Sequence, residues 1–133
     1  MINSATSTGA IAEAMAREFL LQQGLCFVAQ NYRCKMGELD LVFKDQKQLV
    51  IVEVKNRKNT LFGTPAEWVT ASKQHKIILA TQHYLTTQHY LTTQHYLASQ
   101  KQPASLSVRF DVIGILNLNK HSIEWIKNAF FAE

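Results

Sequence analysis

Two runs, Gly37-Glu38-Leu39-Asp40-Leu41-Val42-Phe43 and Val50-Ile51-Val52-Glu53-Val54-Lys55, decide how this chain reads. Leu49 to Val54 is its most β-branched segment, which predicts a buried strand. A carboxylate and an ammonium within such a run are costly to desolvate unless paired, hydrogen-bonded or bound to a metal. Side chains alternate along a strand, so Glu53 and Lys55 share one face and Val50, Val52 and Val54 the other. One face is therefore expected to be apolar and the opposite one to carry charge. The connection Lys44-Asp45-Gln46-Lys47-Gln48 is polar and has hairpin length. With Lys44 opposite Leu49, antiparallel pairing holds the sum of paired residue numbers at 93. Asp40 then opposes Glu53, and Glu38 opposes Lys55. Directly opposed residues share a face and lie roughly 5 Å apart at Cβ. A slip by one residue would send Asp40 to the other face.

In that register two carboxylates and a lysine meet on one surface. The carboxylates repel, and one pKa rises unless a cation lies between them. Hard divalent ions such as Mg²⁺ take one or two carboxylates together with water and substrate phosphate. Such an ion lowers the pKa of its water and neutralises charge on a phosphate, and a nearby lysine adds to both effects. A Glu53–Lys55 ion pair on a solvated sheet face, with Asp40 unrelated to it, fits the same spacing.

Asp40 with Glu53-Val54-Lys55 resembles the PD-(D/E)xK nuclease signature, an aspartate followed on the next strand by carboxylate-x-lysine. Asn31-Tyr32-Arg33-Cys34-Lys35-Met36-Gly37-Glu38-Leu39-Asp40-Leu41-Val42 with Val52-Glu53-Val54-Lys55-Asn56-Arg57 resembles, more closely, the YraN-like proteins. These small bacterial proteins are grouped by fold with archaeal Holliday-junction resolvases. Gly9, Glu13, Ala16, Leu20, Phe62-Gly63 and Arg109-Phe110-Asp111-Val112 match as well, so the resemblance covers roughly residues 9 to 116. Leu39 stands where the short signature has proline; the YraN-like pattern is also apolar there. The resemblance implies a restriction-endonuclease-like α/β fold and a Mg²⁺- or Mn²⁺-dependent endonuclease acting on DNA, branched DNA included. It implies Asp40 and Glu53 as metal ligands, the Val54 carbonyl as a third, and Glu13 as an accessory ligand. Lys55 would position the attacking water or stabilise charge on the phosphate. A nucleic-acid-binding module that keeps the fold without cutting is the alternative.

The 133 residues and 47% hydrophobic content suit one domain over residues 1–133 with a sizeable core. A net charge of +4 and a pI near 9.2 suit a polyanionic partner without a histone-like excess. Arg33 and Lys35 precede Gly37, and Arg57 and Lys58 leave the second run. These four are candidate phosphate contacts, and a solvated loop would look the same. The resemblance favours DNA over RNA as partner, with a homodimer as a candidate assembly. No run approaches the roughly 18 apolar residues needed to span a bilayer. The N-terminus lacks the pattern of a secretory signal. Cys26 and Cys34 have no metal-ligand spacing and are too few for a disulfide scaffold, so a cytoplasmic protein with reduced thiols is expected.

Along the chain, Ala12, Met15, Ala16, Phe19 and Leu20 form the apolar stripe of a helix from Gly9 to Gln23, capped by Ser7 or Thr8 and stopped by Gly24. Glu13 borders that stripe, where a carboxylate is more often solvated than ligating. Leu25 to Asn31 predicts a first strand packing Phe27 and Val28. Asn56 to Pro65 reads as a loop and Pro65 or Ala66 as the start of a second helix. Val108 to Leu116 is a strong strand, and a turn at 117–121 leads to a short strand near Ile123 to Ile126. The order αβββαββ predicts a mixed sheet with helices. Asp111 shares its face with Arg109, so a salt bridge accounts for it and it is left out of the catalytic set.

A hexapeptide repeat runs through 81–97: Thr81-Gln82-His83-Tyr84-Leu85, Thr87-Gln88-His89-Tyr90-Leu91 and Thr93-Gln94-His95-Tyr96-Leu97. On a helix, period six turns successive copies by about 120°, so the three histidines share no face and a metal site is disfavoured. The repeat reads as a tandem expansion in the second helix that adds about 18 Å, as a protruding helix or a looped-out copy. Exposed tyrosines there could serve self-association. Ser72 and Cys34 lack a partnered histidine, and the scattered glycines form no phosphate-cradling loop.

Overall fold

The computed structural model describes residues 7–59, 63–89 and 107–132. Helix α1 (Thr8–Gln22) is followed by strands β1 (Cys26–Cys34), β2 (Gly37–Asp45) and β3 (Gln48–Arg57). A 3₁₀ turn at Pro65–Trp68, helix α2 (Ala71–Tyr84) and a π turn at Leu85–His89 come next. Strands β4 (Ser107–Leu116) and β5 (Asn119–Phe130) close the order. The five strands form one sheet in the order β1-β2-β3-β4-β5, antiparallel throughout except for the parallel β3–β4 pair. The expected mixed sheet with two helices is present.

The β2–β3 hairpin has the expected register. Leu41 pairs with Val52, Phe43 with Val50 and Lys44 with Leu49, and the ladder closes at Asp45–Gln48 around Gln46-Lys47. Gln46 takes the left-handed conformation (φ 57°) that a two-residue hairpin turn requires. The charged face expected of β3 is charged only at its end. Val50 and Val52 pack under α1 with Ala12, Ala16, Leu20, Leu41 and Phe43. On the other side Leu49 and Ile51 join Ile77, Ala80, Tyr84 and Val112 beneath α2. A central strand covered on both faces is apolar on both until it reaches the rim, where Glu53 and Lys55 begin. Each fully buried Val or Ile here contributes roughly 1.5–3 kcal/mol.

Helix α1 follows its stripe: Ala12, Ala16 and Leu20 are buried, and the Ser7 side chain accepts from the Ala10 amide. Three local expectations need correction. Val28 is exposed rather than packed, because β1 is an edge strand with a bulge between Phe27 and Ala29, while Phe27, though partly exposed, packs edge-on against buried Phe43 at 5.5 Å. Helix α2 does not begin at Pro65. The 3₁₀ turn ends in extended Val69, and a new helix starts from Thr70, whose hydroxyl accepts from the Lys73 amide. Strand β5 spans twelve residues rather than four, because Asn117 and Leu118 make a tight left-handed turn (φ 53° at both) and pairing continues through a bulge to Phe130. The first repeat copy lies in α2 with Thr81 and Tyr84 buried, while Phe62, Tyr90 and Tyr96 fall outside the described residues.

Gly114 of β4 admits no side chain: a Cβ there would stand 2.3 Å from Pro65 Cγ, so the 3₁₀ turn lies directly on the strand. Asp111, fully buried, accepts a two-pronged pair from Arg109 (2.9 Å each) and further bonds from Trp125 Nε1 (2.9 Å) and the Asn128 amide (3.1 Å). It ties β4 to β5 as a structural ion pair. Asp111→Ala leaves Arg109 buried without its main partner and should cost about 3–5 kcal/mol of unfolding free energy in urea titrations.

Candidate functional site

The site lies where the β2–β3 ladder stops. The last paired residues are Leu41 and Val52. In a ladder closed by a two-residue turn, the Val54 amide points at β2, where Leu39 would be its partner. It donates instead to Asp40 Oδ2 at 2.9 Å. Leu39 joins the core beneath α2 while Leu41 joins the one beneath α1, so strict alternation of β2 breaks around Asp40. Asp40 and Glu53 are therefore not ladder partners as the register arithmetic had them, yet their carboxyl groups are close enough to shift each other's protonation. Asp40 is 8% exposed and Glu53 4%.

Glu53 Oε2 receives two ammonium groups, Lys55 Nζ from the same strand and Lys73 Nζ from the first turn of α2, each at 3.6 Å. On the opposite flank Glu13 reaches in from α1. Its carboxylate and those of Glu38 and Asp40 approach within 4.8 Å of one another. Glu38 does not meet Lys55 as expected; it pairs with Arg33 at 3.0 Å. Glu13 is hydrogen-bonded by the side chain of Asn31, which occupies left-handed backbone (φ 55°) inside β1. Asparagine takes that conformation more readily than other non-glycine residues.

Protonation follows from burial. Desolvation, then the Asp40 charge, pushes Glu53 from its ordinary 4.5 to about 8, against the pull of Lys73 and Lys55. Asp40 is also raised by burial, with the Val54 amide and Glu53 opposing that shift. The pair thus shares a proton near neutrality and keeps one negative charge for the two lysines to balance. Glu13 rises to about 7, through burial first and then the Asp40 and Glu38 charges. Four carboxyl groups converge where three buried or half-buried ones cannot all ionise unaided. Every donor is a hard oxygen, so the set fits Mg²⁺ or Mn²⁺ better than a soft metal.

The structure brings together Asp40, Glu53, Lys55 and Glu13, with Val54 beside them through its backbone. Arg33, Lys35, Arg57 and Lys58 are exposed. Antiparallel pairing of β1, β2 and β3 sets all four at the same end of the sheet as the carboxylates. The Arg57 guanidinium stacks on the Trp68 ring, 5.7 Å from its centroid. Sequence reasoning missed Lys73, Glu38 as a member of the cluster, and Asn31 as a support. A signal for Lys73 existed, since a lysine three residues after a threonine cap stands where helices favour acidic residues.

Raised carboxyl pKa values fix the sign of a pH effect. Between about pH 4.5 and 8 the folded protein holds protons on Glu13 and Glu53 that the unfolded chain has released, so stability falls as pH rises through that window. In chelator, the melting temperature should decline from pH 5 to 8, and Glu53→Gln should flatten the decline. A wild-type curve already flat over that range would contradict the shared-proton arrangement.

Among the described residues no helix is long and apolar enough to cross a membrane, and both cysteines are free. The model of the uncharacterised protein family UPF0102 matches residues 12–115, a span that holds every carboxylate of the site. A UPF0102 protein of Saccharophagus degradans is 45% identical over 123 residues, covering 92% of each chain. One of Legionella pneumophila is 40% identical over 93% of this chain and 94% of its own. Another, of Methylobacillus flagellatus, is 38% identical over 91% and 94%. Matched along nearly its whole length by relatives of its own size, this chain belongs to the UPF0102 family, the YraN-like proteins.

Proposed function

We propose that the protein is a metal-dependent endonuclease with a restriction-endonuclease-like fold, hydrolysing phosphodiester bonds in DNA, branched DNA included. The observation that carries the reading is a pair of desolvated carboxyls, Asp40 and Glu53, with Lys55 and Lys73 on the same oxygen of Glu53. A sheet stabilised only by burial would replace such a pair with apolar residues at no loss. Asp40 and Glu53 would hold Mg²⁺ or Mn²⁺, with the Val54 carbonyl as a third donor and Glu13 as an accessory one. When bound, the ion supplies a water of lowered pKa and offsets negative charge at the phosphate.

Hydrolysis forms a bond from phosphorus to the water oxygen and breaks the bond to the leaving oxygen, which takes up a proton. Lys55, 27% exposed at the mouth of the site, stands where an ammonium can orient that water and stabilise the extra charge on the phosphate. Arg33 and Lys35 on one side, and Arg57 and Lys58 on the other, provide cations for neighbouring phosphates. The site lies at the sheet's end, with Lys55 and Lys73 partly exposed at its rim.

The second reading, a module that binds nucleic acid without cutting, draws on the two lysines that already neutralise Glu53. Calorimetric titration of Mn²⁺ into wild type, Asp40→Ala and Glu53→Ala, with a short branched DNA present, separates the two. Uptake by wild type that both substitutions abolish, with strand cleavage, is expected. Lys55→Gln should keep metal uptake while cleavage falls by about 10²–10³-fold. No uptake, with DNA binding equal in all three proteins, would leave the module.

A further inference from the structure

Lys73 has no role in the short signature, yet it makes the same contact as Lys55. Two ammonium groups stand 3.6 Å from one carboxylate oxygen, Glu53 Oε2, and the two lysines are eighteen residues apart in sequence, on different elements. Their neighbourhoods differ. Lys55 lies near the end of β3, its backbone paired with Gly114 of β4 and 27% of its side chain exposed, whereas Lys73 is 37% exposed and begins a helix. The Lys73 backbone is pinned, because its amide donates to the Thr70 hydroxyl at 3.1 Å. Its side chain reaches back to Glu53 from a position where the helix dipole disfavours a cation. No acidic residue in that first turn compensates it. Glu53 is the partner that holds Lys73 there.

We propose that Lys73 is an exchangeable cation of the site: it neutralises Glu53 while no divalent ion is bound, and contacts a substrate phosphate once Glu53 ligates one. This rests on the nuclease reading and adds to it the residue that couples metal and phosphate binding. Glu53 cannot keep both lysines and also hold a doubly charged ion, since like charges at such distances repel strongly in a partly desolvated site. Lys55 is the less free to leave. Lys73, at the rim, needs only a change of side-chain rotamer to turn toward a phosphate, and the first-turn amides of α2 favour an anion at the same place. A lysine is suited to the exchange, because its compact charge sits on a flexible stem with three donors.

The arrangement predicts effects of opposite sign, which a merely structural ion pair would not give. Lys73→Gln removes a competitor for Glu53, so Mn²⁺ alone, titrated by calorimetry, should bind about three- to tenfold more tightly than to wild type. The same variant should bind a branched DNA about tenfold more weakly in Ca²⁺, read by fluorescence anisotropy, and its salt dependence should be shallower by about one phosphate contact. Lys73→Arg should retain wild-type DNA affinity, and it carries the test if circular dichroism shows Lys73→Gln unfolded. Equal or weaker Mn²⁺ binding by Lys73→Gln, or loss of DNA binding in a folded Lys73→Arg, overturns the exchange while leaving the metal site standing. Absence of Mn²⁺ uptake by wild type, unaltered in Asp40→Ala, overturns both.

Discussion

The hydrogen bond from the Val54 amide to Asp40 Oδ2 is the contact on which the site depends. It takes the donor that would have extended the β2–β3 ladder by one more pair, and a buried amide must be satisfied by something. Satisfying it with a side chain lets the two strands part without leaving a polar group stranded. Among the described residues no buried side-chain nitrogen or oxygen lacks a partner. The same bond fixes the Asp40 carboxylate at the level of Glu53, which brings two acids into one desolvated place. Everything else around the opening answers the charge problem that this creates.

The answers come from both sides of the sheet. From the α2 side, Lys73 joins Lys55 at Glu53. From the α1 side, Glu13 adds a further carboxyl, held by Asn31 and kept protonated up to about pH 7 by its surroundings. Arg33 offsets Glu38 at the outer margin. The protein alone thus reaches local neutrality through shared protons and borrowed ammonium groups rather than by separating its acids. Such a site is poised: a cation that enters displaces protons and lysines together. The Asp111–Arg109 pair shows the contrasting solution, a carboxylate sealed by four bonds and given no room to exchange.

Much of this was legible in residue order. The β-branched run into Glu53 announced a central strand, and a short polar link fixed the hairpin register that set Asp40 near Glu53. The stripe of α1 gave its buried face and placed Glu13 correctly at the border. What escaped did so for physical reasons. The register was right, but arithmetic on pairing cannot show where a ladder ends, so Glu38 was matched to Lys55 when it turns to Arg33. Val28 looks like core by composition, and the bulge at the sheet edge leaves it exposed while Phe27 still packs on Phe43. Pro65 is a helix-start signal, here used for one 3₁₀ turn against Gly114. Lys73 is linked to Glu53 by no period or spacing, only by the packing of α2 across the sheet.

The parallel β3–β4 pair has a consequence for how this chain can change. Its ten paired positions, from Gln48–Ser107 to Arg57–Leu116, are bridged by a crossover that contains α2 and the whole hexapeptide repeat. The strands need that crossover to exist, but its length enters folding only through the logarithm of a closure probability. Twelve residues added to a crossover of this length would cost only about 0.3 kcal/mol. The carboxylates stand on β2, β3 and α1, all completed before the repeat begins. A change of length in this stretch therefore leaves the strands and helix that carry the carboxylates untouched. The crossover can act as a reservoir of neutral length variation, from which a longer arm or a new contact could be recruited without disturbing the chemistry.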